Sequence, residues 1–229
     1  MLKQALAILL VIGLFCIAQL ANAAMQTTGN SAPLQSGENV LAAAVFNDSS
    51  GSSDMTLIVQ LKADDKIIID EGSACKAIES KKNIPSDTDS TGWTLPSFND
   101  SLWQDAKYGV GYSDNDDNTV IGTTTTPSIY TRARFTVSSP GTIKKLSVGV
   151  DYDDAAVIWI NGIEVARTAG TGLPDKPKWD SWSDNGTGQS HEASKKDPPT
   201  YEFVDLKLEI VSAVHPNGKI AVLWGNLKR

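Results

Sequence analysis

The stretch Asp151–Arg167, DYDDAAVIWINGIEVAR, sets three carboxylates within four residues and follows them with two apolar runs joined by Asn161-Gly162. Asn-Gly between apolar runs is the strongest short-range hairpin signal, because both central residues of a type I′ turn need positive φ. Val157–Ile160 and Ile163–Val165 are therefore expected to pair as antiparallel strands. Asp151, Asp153 and Asp154 then sit at the end of the hairpin opposite its turn, where the preceding run LSVGV hands over.

Working outward, the other apolar runs are short and separated by Gly, Asn, Asp, Ser and Pro. In YTRARFTV, Ala133, Phe135 and Val137 alternate with Arg132, Arg134 and Thr136, the period of a half-buried strand. LSVGV and DMTLIVQL alternate in the same way, and NVLAAAVF, AAVIWI and KIAVLW read as further strands. An all-β sandwich with short helical turns and long loops is expected. Helical signal is confined to ACKAIESKK and LKLEIVSAV, each too short to dominate a fold. The loop-rich stretches are 112–128 and 168–200, whose Gly and Pro content breaks regular structure. Loops of that length in a compact domain tend to be functional or mobile.

Compartment is predicted from the first residues: Lys3, then the run ALAILLVIGLFCIAQL, then the small-x-small pattern Ala21-Asn22-Ala23. This reads as a secretory signal peptide over 1–23 rather than a membrane anchor, which needs a longer apolar stretch with charged flanks. A lipoprotein is disfavoured because Phe15, not a small residue, precedes Cys16. Cleavage removes Lys3, so the formal charge of −7 becomes −8, and of the two cysteines only Cys75 remains. No intrachain disulfide is then available, and stability must come from a hydrophobic core. The acidic balance, with no Lys/Arg cluster longer than a pair such as Lys195-Lys196, argues against nucleic acid and anionic membranes as partners.

WTLPSFNDSLWQDAKYGVGYSDND (93–116), YTRARFTV, DYDDAAVIWINGIEVAR and SHEA (190–193), in that order, carry a family resemblance. Over Trp93 to Trp224 the chain resembles the galactose-binding-like jelly-roll modules of secreted bacterial multidomain proteins. The resemblance implies a jelly-roll β-sandwich over 93–229 and a carbohydrate-binding or adhesion role without catalysis; it is specific for fold and weak for function. The chain departs from the pattern at its ends. SGENVLAAAVF and PNGKIAVLW repeat one motif, and Ser36–Leu61 looks like a complete closing hairpin placed at the amino end. This strand pair, 24–62, is joined to the sandwich by a linker with a short helix, 63–92. It is either a relic of an upstream copy or a circular permutation that returns a missing strand.

Trp179 and Trp182 lie in a polar loop beside Asp184, Asn185, His191 and Glu192. Flat rings next to hydrogen-bonding side chains are what a sugar face requires, so these six are the candidate ligand residues. The competing reading has both tryptophans plugging the end of the sandwich. Trp103, Phe98, Phe135 and Trp159 read as core. Asp114, Asp116 and Asn118 copy the start of an EF-hand and are the candidate calcium ligands, although Thr119 stands where that loop needs Gly and Thr125 where it needs Glu. Asp151, Asp153 and Asp154 are expected to form a turn, their carboxylates bonding nearby backbone N–H groups, in preference to a catalytic pair or a calcium site. His191 and His215 have no Cys or His neighbours, so no zinc pattern exists, and serine, phosphate-loop and dinucleotide motifs are absent. The expectation is a secreted (extracellular or periplasmic), non-enzymatic module that binds carbohydrate or a cell-surface glycan, with calcium as its one candidate cofactor. The alternative is a structural module of the cell envelope that binds another extracellular protein.

Overall fold

The computed structural model describes residues 24–113, 117–183, 191–193 and 198–211. The candidate signal peptide, Asp114, Asp116, Asp184, Asn185 and the carboxyl-terminal run KIAVLW lie outside the described residues. Among the described residues fourteen strands follow in chain order. They are β1 Met25–Thr27, β2 Ser31–Gln35, β3 Gly37–Phe46, β4 Met55–Ala63, β5 Lys66–Ile69, β6 Ala74–Glu79 and β7 Gln104–Lys107. The rest are β8 Val110–Tyr112, β9 Thr119–Val120, β10 Ser128–Val137, β11 Leu146–Asp153, β12 Ala155–Ile160, β13 Ile163–Thr168 and β14 Glu202–Val211. They build two sheets, ordered β1-β13-β12-β3-β10-β6-β7 and β2-β14-β11-β4-β8-β9, with β5 paired to β4.

The chain is an all-β sandwich, and the alternation in the sequence sets its inside. Leu146, Val148, Val150 and Tyr152 of β11 and Leu57, Val59 and Leu61 of β4 meet Leu41, Ala43 and Val45 of β3 and Ala133, Phe135 and Val137 of β10 in one apolar core. The Asn161-Gly162 turn forms as expected: φ is 48° at Asn161 and 88° at Gly162, and β12 pairs antiparallel with β13. Asn161 also ties the turn to the body, accepting the Val40 N–H at 2.8 Å and donating to Pro33 O at 2.7 Å.

Strands β3 and β12 of the first sheet are buried on both faces, which explains why NVLAAAVF and AAVIWI are apolar without interruption. Val40, Ala42, Ala44 and Phe46 of β3, with Val157 and Trp159 of β12 and Tyr130 of β10, face a second apolar layer that contains Ile84, Trp93 and Trp103. Trp93 stacks on Tyr130 with centroids 4.5 Å apart. Arg132 clamps this covering segment: its Nε donates to Asp100 Oδ2 at 2.8 Å, and its Nη1 donates to the carbonyls of Trp93 and Leu95. Burial alone would raise the Asp100 carboxyl, but the hydrogen bond and charge of Arg132, with Arg134 beside it, hold it below the usual carboxylate value.

Three expectations are corrected. ACKAIESKK is not helical: Ala74–Glu79 is a strand between β10 and β7, because cross-strand pairing overrides the helix preference of Ala, Lys and Glu. Leu206–Val211 likewise belongs to β14, paired with β11 and β2. The amino-terminal strands do not pair with each other as a hairpin. β3 lies between β10 and β12 in the first sheet, and β4 lies between β11 and β8 in the second. Buried Cys75 sits in β6, and burial pushes its thiol up to about 12, which leaves it without nucleophilic character at neutral pH.

Candidate functional site at the acidic end of the sandwich

Strand β11 ends in the second sheet and β12 begins in the first, so Asp153 and Asp154 cross from one sheet to the other at one end of the sandwich. The peptide between them is cis. Asp151, Asp153 and Asp154 are all buried, with no more than 4 % exposure. Two of the three do the backbone work expected of turn acids. Asp154 Oδ2 accepts the Asp48 N–H at 2.7 Å, and Asp151 Oδ2 accepts the Thr200 N–H at 3.0 Å.

Asp153 differs. Its carboxyl is pushed well above the usual range, first by burial, then by the charge and hydrogen bond of Asp154, and further by Asp54 and Glu192. Among the described residues no Lys or Arg forms an ion pair with it. Asp54, Asp153 and Glu192 each offer a carboxylate oxygen, and these oxygens lie within 4.8 Å of one another. Three carboxylates that close in a partly buried place repel one another, and a hard divalent cation relieves that repulsion while asking only for oxygen ligands.

The segment bearing Glu192 is held by its neighbour. His191 Nδ1 lies 2.8 Å from Tyr152 O, its Nε2 lies 3.2 Å from Glu202 Oε1, and its ring stacks on Tyr152 at 4.1 Å. Glu202 Oε2 in turn accepts the Tyr152 hydroxyl at 2.9 Å and the Met25 N–H at 2.8 Å. The same end carries the tryptophan loop: the Ser183 N–H donates to Asn47 O at 2.8 Å, one residue before Asp48. Asn47 is fully buried; its Nδ2 donates to the Tyr112 hydroxyl and to Thr126 O, both at 2.8 Å, while its Oδ1 has no partner.

The structure thus brings His191, Glu192 and the loop holding half-buried Trp182 to the acidic end. Trp179 goes elsewhere, packing against the apolar layer outside the first sheet. Its backbone is fixed there, its N–H donating to Asn83 Oδ1 at 3.3 Å and its carbonyl accepting from Ser128 Oγ at 2.7 Å. Asn118 uses its amide as a donor, to Tyr108 O at 2.8 Å and Glu71 Oε1 at 3.2 Å, and so pins its loop. Asp54 and Asn47 were not singled out by the sequence. Asp54 reaches Asp153 only because β4 pairs with β11 in the register that sets Thr56 opposite Asp153.

Comparison with protein-family models, with curated proteins and with solved structures finds no match.

Proposed function

We propose that this chain is a secreted, non-catalytic carbohydrate-binding module of the galactose-binding-like jelly-roll kind. Sugar is bound at the acidic end, where a divalent cation of the calcium type sits among Asp54, Asp153 and Glu192 and presents free coordination positions to sugar hydroxyls. Trp182 supplies the flat apolar surface beside them. The observation that supports this most is the convergence of separate segments on one place: Asp54 before β4, Asp153 at the end of β11, Glu192 beside His191, and the Trp182 loop bonded at Asn47. A cation with oxygen ligands and an adjacent aromatic ring together match both halves of a pyranose, its hydroxyls and its C–H face.

A second reading is favoured by Trp179, whose packing against the apolar layer supports a structural role for one of the two loop tryptophans. On that reading the module is structural or binds another extracellular protein, and it takes no sugar. A glycan array probed with calcium and again with EDTA separates the two. The first reading expects glycan signals that vanish in EDTA and in Asp153→Asn. Absence of any calcium-dependent signal from the folded protein overturns it.

A further inference from the structure

The outer face of the second sheet carries a cleft that the acidic end does not use. Antiparallel register places Gln60, Gly149 and Phe203 side by side across β4, β11 and β14, with Lys62, Ser147 and Asp205 in the adjoining row. Their chain neighbours Leu61, Val148 and Leu206 enter the core, so these six face outward. Phe203 is 45 % exposed, and its ring lies directly on Gly149, where a Cβ would stand 2.5 Å from the ring. Tyr201 lies beside it at 5.6 Å, its hydroxyl donating to Asp70 Oδ1 at 2.8 Å, and the same oxygen accepts Gln60 Nε2 at 2.7 Å. The remaining amide oxygen of Gln60 is buried without a partner.

In front of Phe203 opens a cleft of about 640 Å³, walled by the Asp64–Asp65 turn and by Lys144 and Lys145. Its walls are tied to each other before any ligand arrives. Asp64 Oδ1 accepts the N–H groups of Lys144 and Lys145, each at 3.0 Å; Lys145 Nζ pairs with Asp205 at 3.0 Å; and Ser147 Oγ donates to Asp205 Oδ1 at 2.8 Å. Three lysines and three aspartates line the cleft, so its donors and acceptors balance and no net charge selects an ion. Lys62 Nζ stands 4.3 Å over the Phe203 ring. That is where the π face attracts positive charge, and the partly positive C–H face of a sugar is drawn to the same position.

We propose that this cleft is a second saccharide site, taking an uncharged pyranose unit stacked on Phe203 in the place of Lys62, with hydroxyls bonded by Ser147, Asp205 and Lys145. It shares with the acidic end only the class of ligand. Gly149 and Asp153 are four residues apart on β11, roughly 13 Å along the strand, and the cleft requires no cation. The test is a series of ¹H–¹⁵N spectra of the purified protein in EDTA, which disables the acidic end, titrated with cellohexaose, xylohexaose and galactotetraose. At least one of the three is expected to shift the amides of Ser147, Gly149 and Phe203. Phe203→Ala should weaken that binding at least tenfold and Ser147→Ala severalfold. If Phe203→Ala loses the dispersed spectrum of a folded chain, Ser147→Ala alone decides. No shift at these amides with any of the three sugars, or shifts undiminished in the folded variants, overturns the proposal.

Discussion

At the scale of single residues, the contrast among three neighbouring aspartates is the most informative feature of the chain. Asp151 and Asp154 accept backbone N–H groups, whereas Asp153 faces other carboxylates. Because the folded Asp153 carboxyl is held well above the usual range, it must take up a proton on folding at neutral pH. Asp153→Asn removes that cost, so without metal it should raise the thermal midpoint at neutral pH by about 2–4 °C, the shift that about 1 kcal/mol produces in a chain of this size. The same substitution should abolish any rise in midpoint on adding calcium, which differential scanning calorimetry with EDTA and with calcium reads directly. The tryptophans give a paired prediction. Trp103 is 6 % exposed inside the outer apolar layer, and Trp103→Ala should destabilise the fold by about 3–5 kcal/mol in denaturant titration. Trp182→Ala should leave stability nearly intact and weaken glycan binding by about 1–3 kcal/mol, the size of one aromatic anchor. Equal destabilisation by the two substitutions would place Trp182 with Trp179 as a packing residue.

Elements show what was legible in the sequence and what was not. The β12–β13 hairpin could be read because a type I′ turn is local and Asn161-Gly162 states it. Gly162→Ala should cost about 1–3 kcal/mol, since φ there is 88° and the new Cβ would stand 2.6 Å from Leu95 Cδ2. Strand β6 could not be read, because its residues favour helix and its partners β10 and β7 lie far away in sequence. Asp54 was hidden for a related reason: only strand register places it beside Asp153. In the segment 83–103, Phe98 and Trp103 were legible as core, yet that the segment covers the outside of a sheet depends on the Arg132–Asp100 clamp, which joins residues 32 positions apart. Asp100→Asn should destabilise the protein by about 3–5 kcal/mol at neutral pH by leaving a buried guanidinium unpaired. Because the folded Asp100 carboxyl is depressed, its contribution is present above the ordinary carboxylate value of about 4 and is lost as pH falls through the lower folded value. Acid titration of the two proteins should therefore show a smaller loss of stability below about pH 4 in Asp100→Asn.

For the whole molecule, the amino-terminal segment is a structural centre rather than an appendage. β3 sits between β10 and β12, and β4 between β11 and β8, so neither sheet is continuous without it. Limited proteolysis should spare the region between Leu61 and Trp93, and early cleavage there with release of an amino-terminal piece would contradict this architecture. The same arrangement makes the acidic end a product of the whole fold, since Asp54 precedes β4 in the second sheet, Asp48 follows β3 in the first, and Asp153 ends β11 where the chain crosses between them. The central claim is that this convergence holds a divalent cation. Isothermal titration of calcium into the metal-stripped protein tests it most directly. The account predicts one saturable site in the wild type that disappears in Asp153→Asn. No binding, or binding unchanged by Asp153→Asn, would contradict it.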